Sequence, residues 1–344
     1  MGRGFTVRRS AFTLVLVALA VLSVGLTSCS TGGAAPTAAP APTTAAQPGP
    51  KANPKIALLL FSRGFEFMVA LDQGAQSAAK KLGAEITVLD GQSDTQVQLR
   101  QIEDLLAKGI DAIVISPNNS EEIVPGIRKA NQAGVPVVSV DAIVSSGAEV
   151  AGHVGFDNSA GGKIAAEYIA KQLGSGTVLE LRGGLGAYHA QQRNRGFSEG
   201  MAAAPRFEVI SKAAEWQADN AQTITADVAT ARSDVNAIFS HNDEMIRGVV
   251  SALKQVGKFK KVGEPGHIMI VGIDGTPLAL ERIRNGEQDA TVQQDPFEMG
   301  ATAVRTAIDA LNGKEVPPQQ LLPPTLVTKE NVDTPTLWGN KFKP

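Results

Sequence analysis

From residue 55 the chain repeats one rhythm, a short apolar run followed by a longer stretch with apolar residues every three or four positions. Ile56–Phe61 is continuously apolar, as a parallel strand buried on both faces should be. Over residues 66–82, Phe67, Val69, Leu71, Ala75, Ala78, Ala79 and Leu82 fall at helical spacing, and Gly83 stops the pattern. Glu85–Asp90 then reads as a strand, 94–108 as a helix and Ala112–Ser116 as a strand. A helix over 120–133 and a strand over Val135–Val140 close the first series.

A second series repeats the first. Strands are expected at Val150–Phe156, Thr177–Leu181, Phe207–Ala213, Ala237–Ser240, Ile268–Ile273 and Asp289–Gln293. Helices are expected over 158–173, 189–204, 219–231, 243–256, 277–284 and 297–312. The Pro-rich stretch 317–324 ends regular helix, and Leu326–Thr328 reads as a last strand. Strand and helix alternating in this way predicts α/β architecture, parallel sheets flanked by helices. Two such series predict two similar lobes with a cleft between them.

The chain begins differently. Arg3, Arg8 and Arg9 precede an apolar run over 11–26, which ends in Leu26-Thr27-Ser28-Cys29. That is a secretory leader, too short for a typical membrane span. Residues 30–53 carry no large apolar side chain and are dominated by Ala, Pro, Thr, Gly, Ser and Gln. Such a stretch cannot bury a core and is expected to be a tether with a reach of roughly 25–30 Å. The expected order is a leader over 1–28, Cys29 and tether over 29–53, then the folded body.

Composition narrows the function. With 34 acidic against 32 basic residues, a formal charge of −2, the chain lacks a basic field for nucleic acid. Cys29 is the only cysteine, and the four histidines (His153, His189, His241 and His267) lack metal-ligand spacing. No metal and no cofactor are expected. Gly183, Gly184 and Gly186 resemble a phosphate loop, but no Gly-Lys-Ser/Thr follows. No nucleophile–base pair is evident, so an enzyme is not expected.

In open α/β sheets ligands bind beyond the carboxyl ends of the strands. Those ends present Phe61, Phe65, Phe67 and Met68 after the first strand and Asp141 after the fourth. The second series adds Arg193, Trp216, Asn242, Asp274 and Gln294. Planar polar side chains hydrogen-bond neighbouring hydroxyls, and aromatic faces cover apolar C–H patches. The set suits a sugar or polyol. Each residue has a plainer alternative: Asp141 and Asp274 as caps, Arg193 as a solvated helix residue, Trp216 as core, Asn242 or Asp243 as an N-cap.

These residues sit within longer matching stretches. They include Asp72-Gln73-Gly74-Ala75-Gln76, Ala133-Gly134-Val135-Pro136-Val137, Asn242-Asp243-Glu244-Met245, Gly272-Ile273-Asp274-Gly275-Thr276-Pro277 and Ala290-Thr291-Val292-Gln293-Gln294. In that order they resemble the type I periplasmic sugar-binding proteins of ABC importers, the ribose-binding type above all, over residues 55–328. Leu26–Cys29 resembles a lipobox, which implies lipidation of Cys29 and a protein held outside the cytoplasmic membrane. The resemblance implies two Rossmann-like lobes, 54–156 plus 295–322 and 157–294 plus 323–344. Three crossing segments, near 156–157, 294–295 and 322–323, would form a hinge. It also implies that the ten residues above contact ligand, with Trp216 and Phe67 on opposite sugar faces.

Two departures bear on specificity. Ribose binders commonly carry Arg directly after the strand-four Asp, where this chain has Ala142; their first loop reads Asn-Asn-Pro-Phe-Phe, where it has Gly64-Phe65-Glu66-Phe67-Met68. Arg63, Tyr188, His189 and Gln192 are expected near the cleft mouth, where they can replace a lost donor. The expectation is a monomeric lipoprotein that delivers a neutral monosaccharide or polyol to an ABC permease. The alternatives are a receptor presenting its ligand to a membrane signalling protein and, more remotely, a transcription regulator, which would need a DNA-binding helix pair at the N-terminus.

Overall fold

A computed structural model describes residues 51–343. The leader, Cys29 and most of the tether lie outside the described residues. In the first lobe the elements are β1 (Lys55–Leu60), α1 (Glu66–Leu82), β2 (Glu85–Asp90), α2 (Thr95–Ala107), β3 (Ala112–Ile115), α3 (Val124–Gln132), β4 (Val137–Val140) and β5 (Gly152–Phe156). The second lobe follows with α4 (Asn158–Leu173), β6 (Gly176–Arg182), α5 (Tyr188–Ala202), β7 (Phe207–Ala213), α6 (Ala218–Ala231) and β8 (Val235–Ser240). It continues through α7 (Ile246–Gln255), β9 (Met269–Asp274), α8 (Pro277–Asn285) and β10 (Ala290–Gln293). The last elements are α9 (Pro296–Leu311), β11 (Gln319–Leu322), β12 (Thr325–Thr328) and the short α10 (Trp338–Lys341).

The two sheets are near copies. The first has the order β11-β5-β4-β3-β1-β2 and the second β12-β10-β9-β8-β6-β7. All pairings are parallel except β10 with β12, which is antiparallel. The central strands are buried on both faces, which is why they read as unbroken apolar runs. The chain passes between the sheets three times. After β5, α4 packs on α5 of the second lobe; after β10, α9 returns to pack on α1; and β11 and β12 join different sheets.

Four elements differ from the sequence expectation, the short α10 among them, since no element was expected beyond Thr328. α3 and α7 begin later than expected, because a side-chain amide draws each entry into a turn: Asn119 Oδ1 accepts from the amides of Glu121 and Glu122, and Asn242 Oδ1 from that of Met245. The Pro-rich stretch contains β11, which was not expected. Prolines 317, 318, 323 and 324 flank it rather than interrupt it, and it lies at a sheet edge, where proline is tolerated.

Close helix packing brings one side chain into the cleft. α4 and α5 meet at Gly162 and Gly196, where a Cβ would lie 2.1 Å from the Arg193 carbonyl oxygen and 1.8 Å from that of Ser159. This approach seats Arg193, on α5, against the start of α4.

Candidate functional site

The first lobe supplies one wall of a cavity between the sheets. Phe61 follows β1, the chain turns through Ser62–Gly64, and α1 starts after Phe65. The Phe61 and Phe65 rings lie 5.2 Å apart, tilted by 34°. Phe67 and Met68, in the first turn of α1, are buried. Asp141 follows β4 with φ 64°, a left-handed conformation that Asp adopts more readily than most residues. Its amide donates to the Val154 carbonyl (2.9 Å), and its carboxylate accepts from Ser116 Oγ (3.3 Å).

The second lobe supplies the other wall. Arg193 is 2% exposed. Its Nε donates to Asn158 Oδ1 (2.8 Å), Nη1 donates to the His241 carbonyl, and Nη1 lies 3.7 Å from Asp274 Oδ1. The guanidinium also sits 5.6 Å from the centre of the Trp216 ring and 6.0 Å from that of Phe156. Gln294 Nε2 donates to Asp274 Oδ1 (2.8 Å), while Gln294 Oε1 is buried without a partner. Trp216 stacks on His189 with centroids 4.7 Å apart.

All ten residues named above from the strand ends line this one cavity, together with His189 and with Ser116, Pro117 and Asn118. Mouth and open solvent included, the space between these walls is about 510 Å³. Arg63, Tyr188 and Gln192 are not in the lining. Arg63 turns away to an ion pair with Asp72 (2.8 Å), and Tyr188 and Gln192 are half-buried on α5. Ser116–Asn118 went unnamed in the sequence reading, although they follow β3 as directly as Asp141 follows β4.

The plainer alternatives hold in part. Asn242 caps the turn into α7 and still lines the cavity. Trp216 is 9% exposed and belongs to the apolar core of the second lobe, so it is core and cavity wall at once. Beneath the wall a second layer fixes Arg193. His241 Nδ1 accepts from the Gly183 amide (3.4 Å) and its Nε2 faces Glu180 Oε1 (3.0 Å), so the ring is neutral and donates to a carboxylate. The lining combines acceptors at Asp141, Asp274 and Gln294, donors at Arg193 and Asn242, and aromatic faces. Among the described residues no group of three or more His, Cys, Asp or Glu could hold a metal ion, and no helix is long and apolar enough to cross a membrane.

Burial sets the charge state of the cleft. It pushes Asp141 up to about 6, against the pull of Arg193. It pushes Asp274 up to about 8, with Arg193 opposing and Asp243 adding to the rise. Unfolded, both carboxyls ionise near 4. The folded chain therefore keeps protons that the unfolded chain has released, and this contribution is lost progressively above about pH 4, completely by about 6 for Asp141 and by about 8 for Asp274. His153 is pulled down to about 4 by burial, and burial also lowers His189 and His241. Below about 6.5 the unfolded chain gains protons these folded histidines refuse, so stability falls there too. Thermal melts of the sugar-free protein at constant ionic strength are expected to peak near pH 6.5 and decline toward pH 8. A flat profile from pH 6 to 9 would contradict the carboxyl assignment.

A family profile described as "Periplasmic binding protein domain" matches residues 56–315. The ribose import binding protein RbsB of Escherichia coli (strain K12) is 36% identical over 281 residues, 81% of this chain and 92% of that protein. A solved periplasmic solute-binding protein of an ABC transporter from Actinobacillus succinogenes 130z, with bound D-allose, superposes with a TM-score of 0.75 at 30% identity, covering 81% of this chain and 99% of that one. A solute-binding protein from Bacillus halodurans C-125 with bound myo-inositol gives a TM-score of 0.77 at 27% identity, covering 85% and 99%.

Proposed function

Because this chain belongs to the periplasmic binding protein family, we propose that it is an extracytoplasmic solute-binding lipoprotein that captures one neutral monosaccharide or polyol and delivers it to an ABC permease. One observation carries the reading: ten residues drawn from strand ends in both sheets line a single cavity. Asp141 takes two adjacent hydroxyls. Arg193 and Asn242 donate, Asp274 and the unpartnered Gln294 Oε1 accept, and Trp216 and Phe67 cover the ring or chain faces. Each acceptor then meets a hydroxyl proton, which fits a neutral polyhydroxyl. As a binding protein it catalyses no reaction.

The lobes, 54–156 plus 295–322 and 157–294 plus 323–344, close by bending at the three crossings, and the permease reads the closed form. Cys29 carries the lipid and residues 30–53 the reach from the membrane. A lipid on Cys29 anchors stably only with more than one acyl chain.

A thermal-shift screen of the purified protein against D-ribose, D-allose, myo-inositol and xylitol tests the reading. A compound at a hundredfold its dissociation constant stabilises by about 2.7 kcal/mol, a shift of several degrees. A shift confined to one stereochemical group names the ligand class. No shift with polyhydroxyls of any kind would overturn the sugar assignment.

A further inference from the structure

The chain does not stop at β12. It folds back across the cleft floor, and Trp338 there is fully buried. Its indole Nε1 donates to the Asp274 carbonyl oxygen (2.7 Å), and its backbone amide donates to Gln293 Oε1 (3.1 Å). Its ring meets Phe67 edge-on, centroids 6.2 Å apart at 83°, and Phe342 in the same manner at 5.9 Å. Phe342 in turn lies against Phe297 of α9, and Gln73 of α1 donates to the Lys343 carbonyl (3.2 Å). The segment passes so close to the loop after β9 that a Cβ on Gly339 would lie 2.5 Å from the Gly275 carbonyl oxygen.

Asp274 and Phe67 come from different lobes, and both line the cavity. Asp274 holds φ 130°, a conformation that costs a non-glycine residue and persists only where neighbours over-determine it. Two donors fix its carbonyl, the Gln294 amide (3.2 Å) and the Trp338 indole. We infer that the C-terminal segment is a positioning strap, in which Trp338 holds Asp274 and Phe67, one from each lobe, in the geometry that binds solute. The inference rests on the solute-site reading above. A strap of this kind acts through pre-organisation, so it governs how long a solute stays more than how fast it arrives.

Two full-chain variants separate positioning from mere packing. Trp338→Phe keeps a ring against Phe67 and deletes the indole donor; Trp338→Ala deletes both. Amide hydrogen exchange without added sugar is the first readout. Trp338→Phe is expected to speed exchange in the peptide spanning 274–276 and leave that spanning 65–68 as in the wild type. Trp338→Ala is expected to speed both, while β1 and β3 stay protected. Trp338→Phe matching the wild type at 274–276 would overturn the inference, and so would a uniform loss of protection in Trp338→Ala.

Stopped-flow binding is the second readout. Trp216 and Trp338 are the chain's two tryptophans, so in Trp338→Phe the emission comes from Trp216 alone. With D-ribose, D-allose, myo-inositol and xylitol as probes, Trp338→Phe is expected to release its solute about fivefold faster, the net worth of one hydrogen bond, at an unchanged association rate. An unchanged release rate would overturn the inference. If none of the four probes binds the wild type, the solute reading fails, and the exchange experiment alone decides the strap.

Discussion

Arg193→Met is expected to lower the unfolding free energy by about 3–5 kcal/mol at pH 9 and to abolish sugar binding. Methionine fills much of the space, so a cavity is not the main cause. What is lost is the pairing. Asn158 Oδ1, the His241 carbonyl and the Asp274 carboxylate all face the guanidinium, which is nearly sealed from water. Removing it leaves buried acceptors unsatisfied and a carboxylate unbalanced. Asp274 has one escape. Burial already pushes its carboxyl up to about 8, and without Arg193 it takes a proton more readily still. The penalty should therefore be smaller at pH 5 than at pH 9, because at pH 5 Asp274 is neutral in both proteins. Arg193→Lys should fall between, since an ammonium keeps the charge but not the planar fork. Denaturant titrations at pH 5, 7 and 9 check this. An equal loss at all three would mean that Asp274 is not the group Arg193 balances.

The sequence was most readable where one local rule decides the outcome. A strand buried on both faces must be continuously apolar, so its end is visible, and the polar residue after it stands at the cleft. Asp141, Asn242, Asp274 and Gln294 could be named on that rule alone, and all four line the cavity. The same rule points to Ser116–Asn118, which follow β3 and line the cavity as well.

What escaped has a different physical origin. Trp338 meets Asp274 and Phe67 through contacts spanning much of the chain, and no local period announces them. β11 is a four-residue edge strand among prolines, defined by its partner β5 rather than by its own pattern. Glu180 and His241 read as separate polar residues, and only the fold makes them a buried pair beneath Arg193. Trp216 shows the limit of a two-way choice, since a large ring can be wall on one face and core on the other.

That double role makes Trp216 a poor probe of the site, because its removal would cost stability and affinity together. Asp141→Asn separates the two. The substitution suits the backbone, since Asn also tolerates the left-handed conformation at φ 64°. It keeps one oxygen to accept from Ser116 and removes the charge. In the sugar-free protein that charge is a burden: burial pushes the carboxyl up to about 6, so at pH 8 the folded chain must ionise it against desolvation. Asp141→Asn is therefore expected to melt no lower than the wild type at pH 8, and above it if Arg193 compensates the carboxylate only in part. Binding should move the other way. A carboxylate accepting two hydroxyls makes charge-assisted bonds, and turning one acceptor into a donor leaves a ligand proton facing an N–H. The expected cost is about hundredfold in affinity, close to 3 kcal/mol, for whichever of the four panel compounds binds the wild type best. Calorimetric titration and thermal melts of the same samples read both signs. Wild-type affinity would remove Asp141 from the site, and a fall in both quantities would make it a structural residue; only weaker binding without lost stability matches a carboxylate kept at a cost for its ligand.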